Sequence, residues 1–244
     1  MKPRESDIRE AKEYIRKRIE AELSMEHYLD FVLMRSAKKI VELAYKRSIP
    51  PSMFSFNFDP FMASEIDKVI LELLYDIEDY DIKMATATEK ADDNTLLPYI
   101  NREIDGITYN QRLSNYTTRF KLELQDFVTA GLVAGLSQQD LLTEIRTSFK
   151  KPYTSSLLAD TPHFGQSAYT RLLVLTRHTI ADAWMYADME SARQRGAVGF
   201  FSYRGSGYPC QLCDDMANRF HTFAEPYPPY HPRCVCYAVP VFNQ

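Results

Sequence analysis

The chain has 244 residues, 45% hydrophobic and 25% charged, with 29 Lys+Arg set against 33 Asp+Glu. That length holds one large domain or two small ones, and both fractions sit at the globular average, which excludes wholesale disorder. A formal net charge of -4 argues against a protein whose main task is coating nucleic acid, because nonspecific phosphate binding runs on excess Lys and Arg; a local basic site stays open.

No apolar run approaches the roughly 18 residues of a spanning helix. Met1 to Asp7 is polar with no apolar stretch behind it, so no secretory leader is read and a reducing compartment is expected. There are only 8 Gly and none precedes Gly106, so the first hundred residues have little material for tight turns and are predicted to be helical. All four Cys, by contrast, fall between Cys210 and Cys236.

In chain order, residues 7–47 are predicted as one long helix or two abutting ones. Asp7 with Glu10 reads as a capping-box variant, and Ile8, Ala11, Ile15, Ile19 and Leu23 recur at three and four residues, continued by Leu29, Val32, Leu33, Ala37, Ile40, Val41 and Leu43. Pro50 and Pro51 end the run. Phe54, Phe56, Phe58 and Phe61 suggest an extended aromatic connection, either packed in a core or exposed as a docking surface. Ser64 is read as the cap of a second helix reaching about Met84, whose acidic run Asp76, Glu78, Asp79 and Asp81 reads either as a solvated face or as a surface that repels DNA or meets a basic partner. The small polar stretch 85–97 is the expected linker.

Helical periodicity returns from Thr108 to Ala134 with Leu113, Phe120, Leu124, Phe127 and Val128 on one side. Gly135 is placed to end that helix, and Ser137 with Asp140 to start another over Gln138 to Phe149. Residues 150–165 read as a loop. A strong helix follows over Gln166 to Arg195, with Leu173, Ile180, Trp184 and Ala187 on its buried face and Gly196 as its stop. Strands are predicted over Ala197 to Tyr203 and Tyr237 to Phe242, with a turn at Gly205 to Pro209. The expected fold is mainly α: an amino-terminal helical region over 1–97, a helical bundle over 98–196, and a small α+β module over 197–244 stapled by zinc.

The staple is read from Cys210-Gln-Leu-Cys213 and, seventeen residues on, His231-Pro-Arg-Cys234-Val-Cys236. A Cys-x-x-Cys on a turn brings two thiolates to one metal, and a distant Cys/His pair completes a tetrahedron. Cys236 points the same way as Cys234 in an extended segment and competes with it, so five donors stand for four places. His221 is a weaker sixth. Two disulfides, or thiols buried separately, are the alternatives. A catalytic zinc would need an open position and a nearby base, for which only Glu225 is at hand upstream of His231.

Three stretches carry a family resemblance. They are Leu175-Thr-Arg-His-Thr-Ile-Ala-Asp-Ala-Trp184 with Ala192-Arg-Gln-Arg-Gly196; Tyr208-Pro-Cys-Gln-Leu-Cys-Asp-Asp-Met-Ala-Asn-Arg-Phe-His-Thr-Phe223; and Pro228-Pro-Tyr-His-Pro-Arg-Cys-Val-Cys236 followed by Val239-Pro240. From about Asn115 to Phe242 the chain resembles the phage Mu protein F-like family of minor head, or head morphogenesis, proteins. It differs in having His178 where the family often has an acidic residue, and Asn218-Arg219 where the family has an Asp-Gly turn. Residues 1 to about 100 carry no such motif.

The resemblance implies a minor head protein associated with the phage portal protein and other procapsid proteins. Such a protein is made in the host cytoplasm and carried into the virion, where it acts in head assembly or genome delivery, with packaged DNA as a further contact. No Gly-rich phosphate loop, Gly-x-Ser-x-Gly or His-Glu-x-x-His occurs, so no enzymatic activity is expected. The competing readings are a zinc-supported nuclease or phage-linked toxin using His221 and Glu225, and a disulfide-stapled interaction domain. Arg177 and His178 are read as a solvated edge or a satisfied buried pair, and His27 and His163 as isolated histidines.

Overall fold

A computed structural model of the chain describes residues 3–47, 49–150 and 167–243. Among them the elements run α1 (Glu5–Tyr45), a 3-10 turn (Pro51–Met53), α2 (Pro60–Ala85), α3 (Asp93–Ile100), α4 (Tyr109–Val133), α5 (Gln138–Lys150), α6 (Ala168–Gln194), β1 (Ala197–Tyr203), α7 (Gln211–Met216), β2 (Phe220–His221) and β3 (Tyr237–Phe242). The fold is mainly helical with a small strand-bearing module at the carboxyl end, as expected. None of the described helices is long and apolar enough to cross a membrane.

Local chemistry sets most helix ends. Thr108 and Gln111 form a reciprocal capping box at the start of α4, each side chain accepting from the other's backbone N–H. Ser137 Oγ accepts the Asp140 N–H at 3.2 Å to open α5, and Gly135 and Gly196 stop α4 and α6 at positive φ. Three starts differ from expectation. Asp7 lies inside the first turn of α1, where its carboxylate accepts from the Arg4 backbone N–H and guanidinium at 3.4 and 3.0 Å. Asp59, not Ser64, caps α2: its Oδ1 accepts the N–H groups of Phe61 and Met62 at 2.8 and 3.1 Å. Pro60 then fits the first helical position, where no N–H is needed. The polar stretch 85–97 is not all linker, because Asp92 accepts the Thr95 N–H at 3.0 Å and opens α3. Of the expected loop 150–165, Lys150 closes α5 and the remainder, with His163, lies outside the described residues.

The chain forms two compact units assembled from interleaved segments, whereas the sequence divisions at 97 and 196 are consecutive. One comprises Met1–Glu26, Tyr80–Asp105 and Val174–Gln244; the other His27–Asp79 and Gly106–Leu173. Helices α1, α2 and α6 supply residues to both. In the second unit Phe120 of α4 meets Phe149 of α5 at 5.6 Å, and Phe149 stacks on Tyr169 at 5.7 Å. The Phe segment divides there: Phe54 and Phe56 are buried, while Phe58 and Phe61 are exposed.

In the first unit, Ala11 and Ile15 of α1 and Met185 and Met189 of α6 pack on Phe200, Tyr237, Ala238 and Val239 of the sheet. The sheet is antiparallel in the order β2-β1-β3, with Phe201 opposite both Phe220 and Val239. Gly199 is required at the crossing with β2, since a Cβ there would lie 2.2 Å from the His221 carbonyl oxygen. One polarity is inverted relative to the predicted stripe. Leu23 is 44% exposed, while Arg18 and Glu22 are 0% and 4% exposed.

Replacing Asp59 with Ala should lower unfolding free energy by about 1 kcal/mol through loss of the α2 cap. The Ser64→Ala change, at an exposed interior helix position, should stay within about 0.5 kcal/mol. Urea unfolding of the two variants distinguishes these helix starts.

Candidate metal centre

The centre is built on three short pieces of the first unit. Cys210 stands at the N-cap of α7, where its carbonyl accepts the Asp214 N–H at 2.9 Å, and Cys213 lies in the first turn. The second arm is a turn closed by the Cys234 N–H on the His231 carbonyl at 3.0 Å, with Arg233 at a φ of +65°. Cys236 directly precedes β3. The third piece is the loop after β1. Arg204 reaches from it to the carbonyls of Tyr208 and Cys210 and to the Asp214 carboxylate. Gly205 passes so close to the second arm that a Cβ would lie 1.7 Å from the Val235 carbonyl oxygen.

All five predicted donors come together. They form two overlapping groups that could each hold a metal ion, Cys210 with Cys213 and His231, and Cys213 with Cys234 and Cys236, so Cys213 belongs to both. The His231 Nε2 lies 3.3 Å from Cys210 Sγ and 3.1 Å from Cys213 Sγ, and Cys213 Sγ lies 3.8 Å from Cys234 Sγ. Tetrahedral coordination at about 2.3 Å to sulfur and about 2.0 Å to nitrogen places sulfurs about 3.8 Å apart and sulfur and nitrogen about 3.5 Å apart. These three separations fall within a few tenths of an ångström of those values, while the five donors stay in two groups that share Cys213. All four thiols are free, and the Cys213 to Cys234 separation far exceeds the roughly 2.05 Å of a disulfide bond.

The imidazole is prepared for the same task. His231 Nδ1 donates to the Pro232 carbonyl at 2.8 Å, which raises the proton affinity of the ring and leaves Nε2 as the free lone pair among the sulfurs. Charge is distributed unevenly over the thiols. The Cys213 backbone N–H, then its thiol, pulls Cys210 down. A hydrogen bond from the Cys236 thiol pulls Cys234 down to about 5, against its burial. Cys236 is pushed up because its proton is held on the Cys234 sulfur, and burial pushes Cys213 up to about 12. Several thiolates cannot crowd together away from water without a cation; a divalent ion removes that restriction by taking the protons' place.

His221 takes no part. Its ring is fully buried, stacked on Phe200 at 5.0 Å, with Nε2 2.8 Å from the Met216 carbonyl and Nδ1 3.0 Å from Glu225. His221 and Glu225 thus tie α7 to the loop after β2. Arg177 is a satisfied pair, contacting Glu22 at 3.2 Å and Glu26 at 3.3 Å. His178 is not: its Nδ1 is buried with no hydrogen-bond partner among the described residues.

No family model matches the chain, and neither a curated protein nor a solved structure shows significant similarity to it.

Four supporting residues escaped the sequence reading. Arg204 fell between the predicted strand and the predicted turn, and Gly205 was read only as the start of that turn. Tyr230, within the quoted motif, had no role until its hydroxyl was found donating to Ser202 Oγ at 2.7 Å. Arg18 looked like an ordinary polar position. Burial first lowers its proton affinity, and Glu22, Cys234, Tyr14 and Cys236 in turn raise it, which puts the guanidinium in the field of the thiols.

A Gly205→Ala substitution should drive the loop off the Val235 backbone and expose the cysteines, raising their reactivity toward a disulfide reagent in the native protein. Gly207→Ala, where a Cβ meets nothing within 4 Å, should leave it unchanged. Timed thiol titration reads the difference.

Proposed function

We propose that the cysteine and histidine cluster is a structural zinc centre in a bacteriophage minor head protein. The observation that carries the zinc reading is the His231 imidazole, whose Nδ1 is engaged by the Pro232 carbonyl while Nε2 stands 3.1 and 3.3 Å from two cysteine sulfurs. Sulfur and imidazole donors at tetrahedral spacing favour zinc over the hard, oxygen-seeking cations. Cys210, Cys213, His231 and Cys234 or Cys236 would hold the ion. Its task is to fasten the α7 arm to the His231–Cys236 arm, turning binding free energy into folding free energy for a segment with little apolar interior.

The head-protein role rests on the three motif stretches ending in Pro228-Pro-Tyr-His-Pro-Arg-Cys-Val-Cys236. On this reading the chain acts without catalysis, through contacts with the portal protein and other procapsid components, and travels in the virion. Mass spectrometry of purified particles from a phage encoding this chain should detect it at low copy number alongside portal protein. Its absence from particles and procapsids alike would refute the role.

Purified under reducing conditions, the chain should carry one zinc per molecule. Chelator should remove it and abolish the β1–β3 hydrogen-exchange protection while much of the helical signal persists. Affinity should fall as pH falls, because each bound thiolate and the imidazole must give up a proton to the solvent before binding. A protein that binds no zinc, with its module unaffected by chelator, would contradict the reading.

A further inference from the structure

Arg18 poses a problem that the zinc centre can solve. It is fully buried on α1, and Nε, Nη1 and Nη2 have no hydrogen-bond partner among the described residues. It forms an ion pair with Glu22, Nε to Oε1 at 3.1 Å but without hydrogen-bond geometry, and Glu22 is shared with Arg177. A buried guanidinium with unmatched N–H groups is costly, because the desolvated donors and the charge both go uncompensated. Such a group calls for an anion.

Packing brings the face of α1 that carries Arg18 onto the strand that follows the thiols. Ala11 and Ile15, on the face of α1 that continues through Arg18 to Glu22, pack with Tyr237, Ala238 and Val239 of β3. Cys236 and Cys234 immediately precede that strand and are 2% and 5% exposed. The groups whose charge bears on Arg18 are Glu22, Cys234, Tyr14 and Cys236, and His178 shares the field of Cys234 and Glu22. With zinc bound, three thiolates and an imidazole carry a net charge of about -1, and four thiolates about -2. That excess lies in a region of low dielectric in whose field the Arg18 guanidinium sits.

We propose that Arg18 is the internal counter-ion of the metal centre, its unmatched N–H groups taken up by the thiolates of Cys234 and Cys236 once these hold the ion, so that loading the ion also fixes α1 on the sheet. This rests on the zinc reading and adds to it a link between the amino-terminal helix and the carboxyl-terminal cluster. Arg suits the position better than Lys, since its planar fork offers several donors at fixed angles and is less strongly hydrated.

The test uses the full chain, with zinc as the probe. Zinc affinity is measured by competition with a chromophoric chelator for the wild type, Arg18→Met and Arg18→Lys, and amide exchange over residues 8–22 is followed in the wild type with and without zinc. Arg18→Met should bind roughly 10- to 100-fold more weakly, as loss of an outer partner of a metal site does; Arg18→Lys should fall between. Zinc should slow exchange over 8–22 in the wild type, a readout that stands even where Arg18→Met folds poorly. Wild-type zinc binding with α1 exchange indifferent to the metal, or with unchanged affinity in Arg18→Met, overturns the counter-ion role alone. Absence of zinc binding by the wild type removes the zinc reading and this proposal together.

Discussion

The carboxyl-terminal module depends on the convergence of soft donors around Cys213. Three short strands and a six-residue helix over 197–242 leave little apolar interior of their own, and a segment of that size is marginal without a staple or a partner surface. The thiols and the His231 imidazole form two groups, sharing Cys213, that could each hold a metal ion, and the back of the sheet is covered by α1 and α6. Everything else near the cluster serves those two requirements. Arg204 ties down the loop carbonyls, Gly205 admits the second arm at backbone distance, and His221 links α7 to Glu225.

The polar groups around α6 show how the rest of the first unit is kept in one arrangement. Trp184 Nε1 donates to the Met84 carbonyl at 2.9 Å, and the Tyr14 hydroxyl donates to the Trp184 carbonyl at 2.8 Å. Lys90 pairs with buried Asp188 at 2.5 Å, and Asp182 receives both Arg102 and, at 3.0 Å, the Tyr99 hydroxyl. Burial alone tolerates sliding of one helix on another; directional bonds to named carbonyls and carboxylates do not. These contacts bring the 80–105 segment, the start of α1 and the second part of α6 together, which is why the compact units interleave along the chain.

Legibility from sequence varied with the range of the interaction. The α4 face of Leu113, Phe120, Leu124, Phe127 and Val128 is buried as its spacing predicts, and the boundaries of β1 and β3 match their expected limits. Caps were less consistent. Ser137 opens α5 as read, whereas Ser64 was read as the cap of α2 where Asp59 serves, since the apolar periodicity begins only at Ile66. The five donors were recoverable from residue type and spacing. Their grouping around Cys213 was not, because spacing sets which residues can meet and leaves open which of them do. Helix α1 misled most. Leu23 fits the apolar stripe as well as Ile15 does, yet it faces solvent while Arg18 and Glu22 face inward.

What the sequence determined by itself is therefore the part governed by neighbours a few residues apart: helical segments and their glycine stops, the two longer strands, and the set of residues able to bind a metal. Tertiary structure alone decided that Arg18 is buried, that Gly199 and Gly205 sit where no Cβ fits, that His231 presents Nε2, and that Cys213 lies between two groups of donors. The physical reason is common to all four. Each depends on what an element distant in sequence places against the residue, and a side chain's hydration, partner and charge are set by that neighbour rather than by its own position in a repeat.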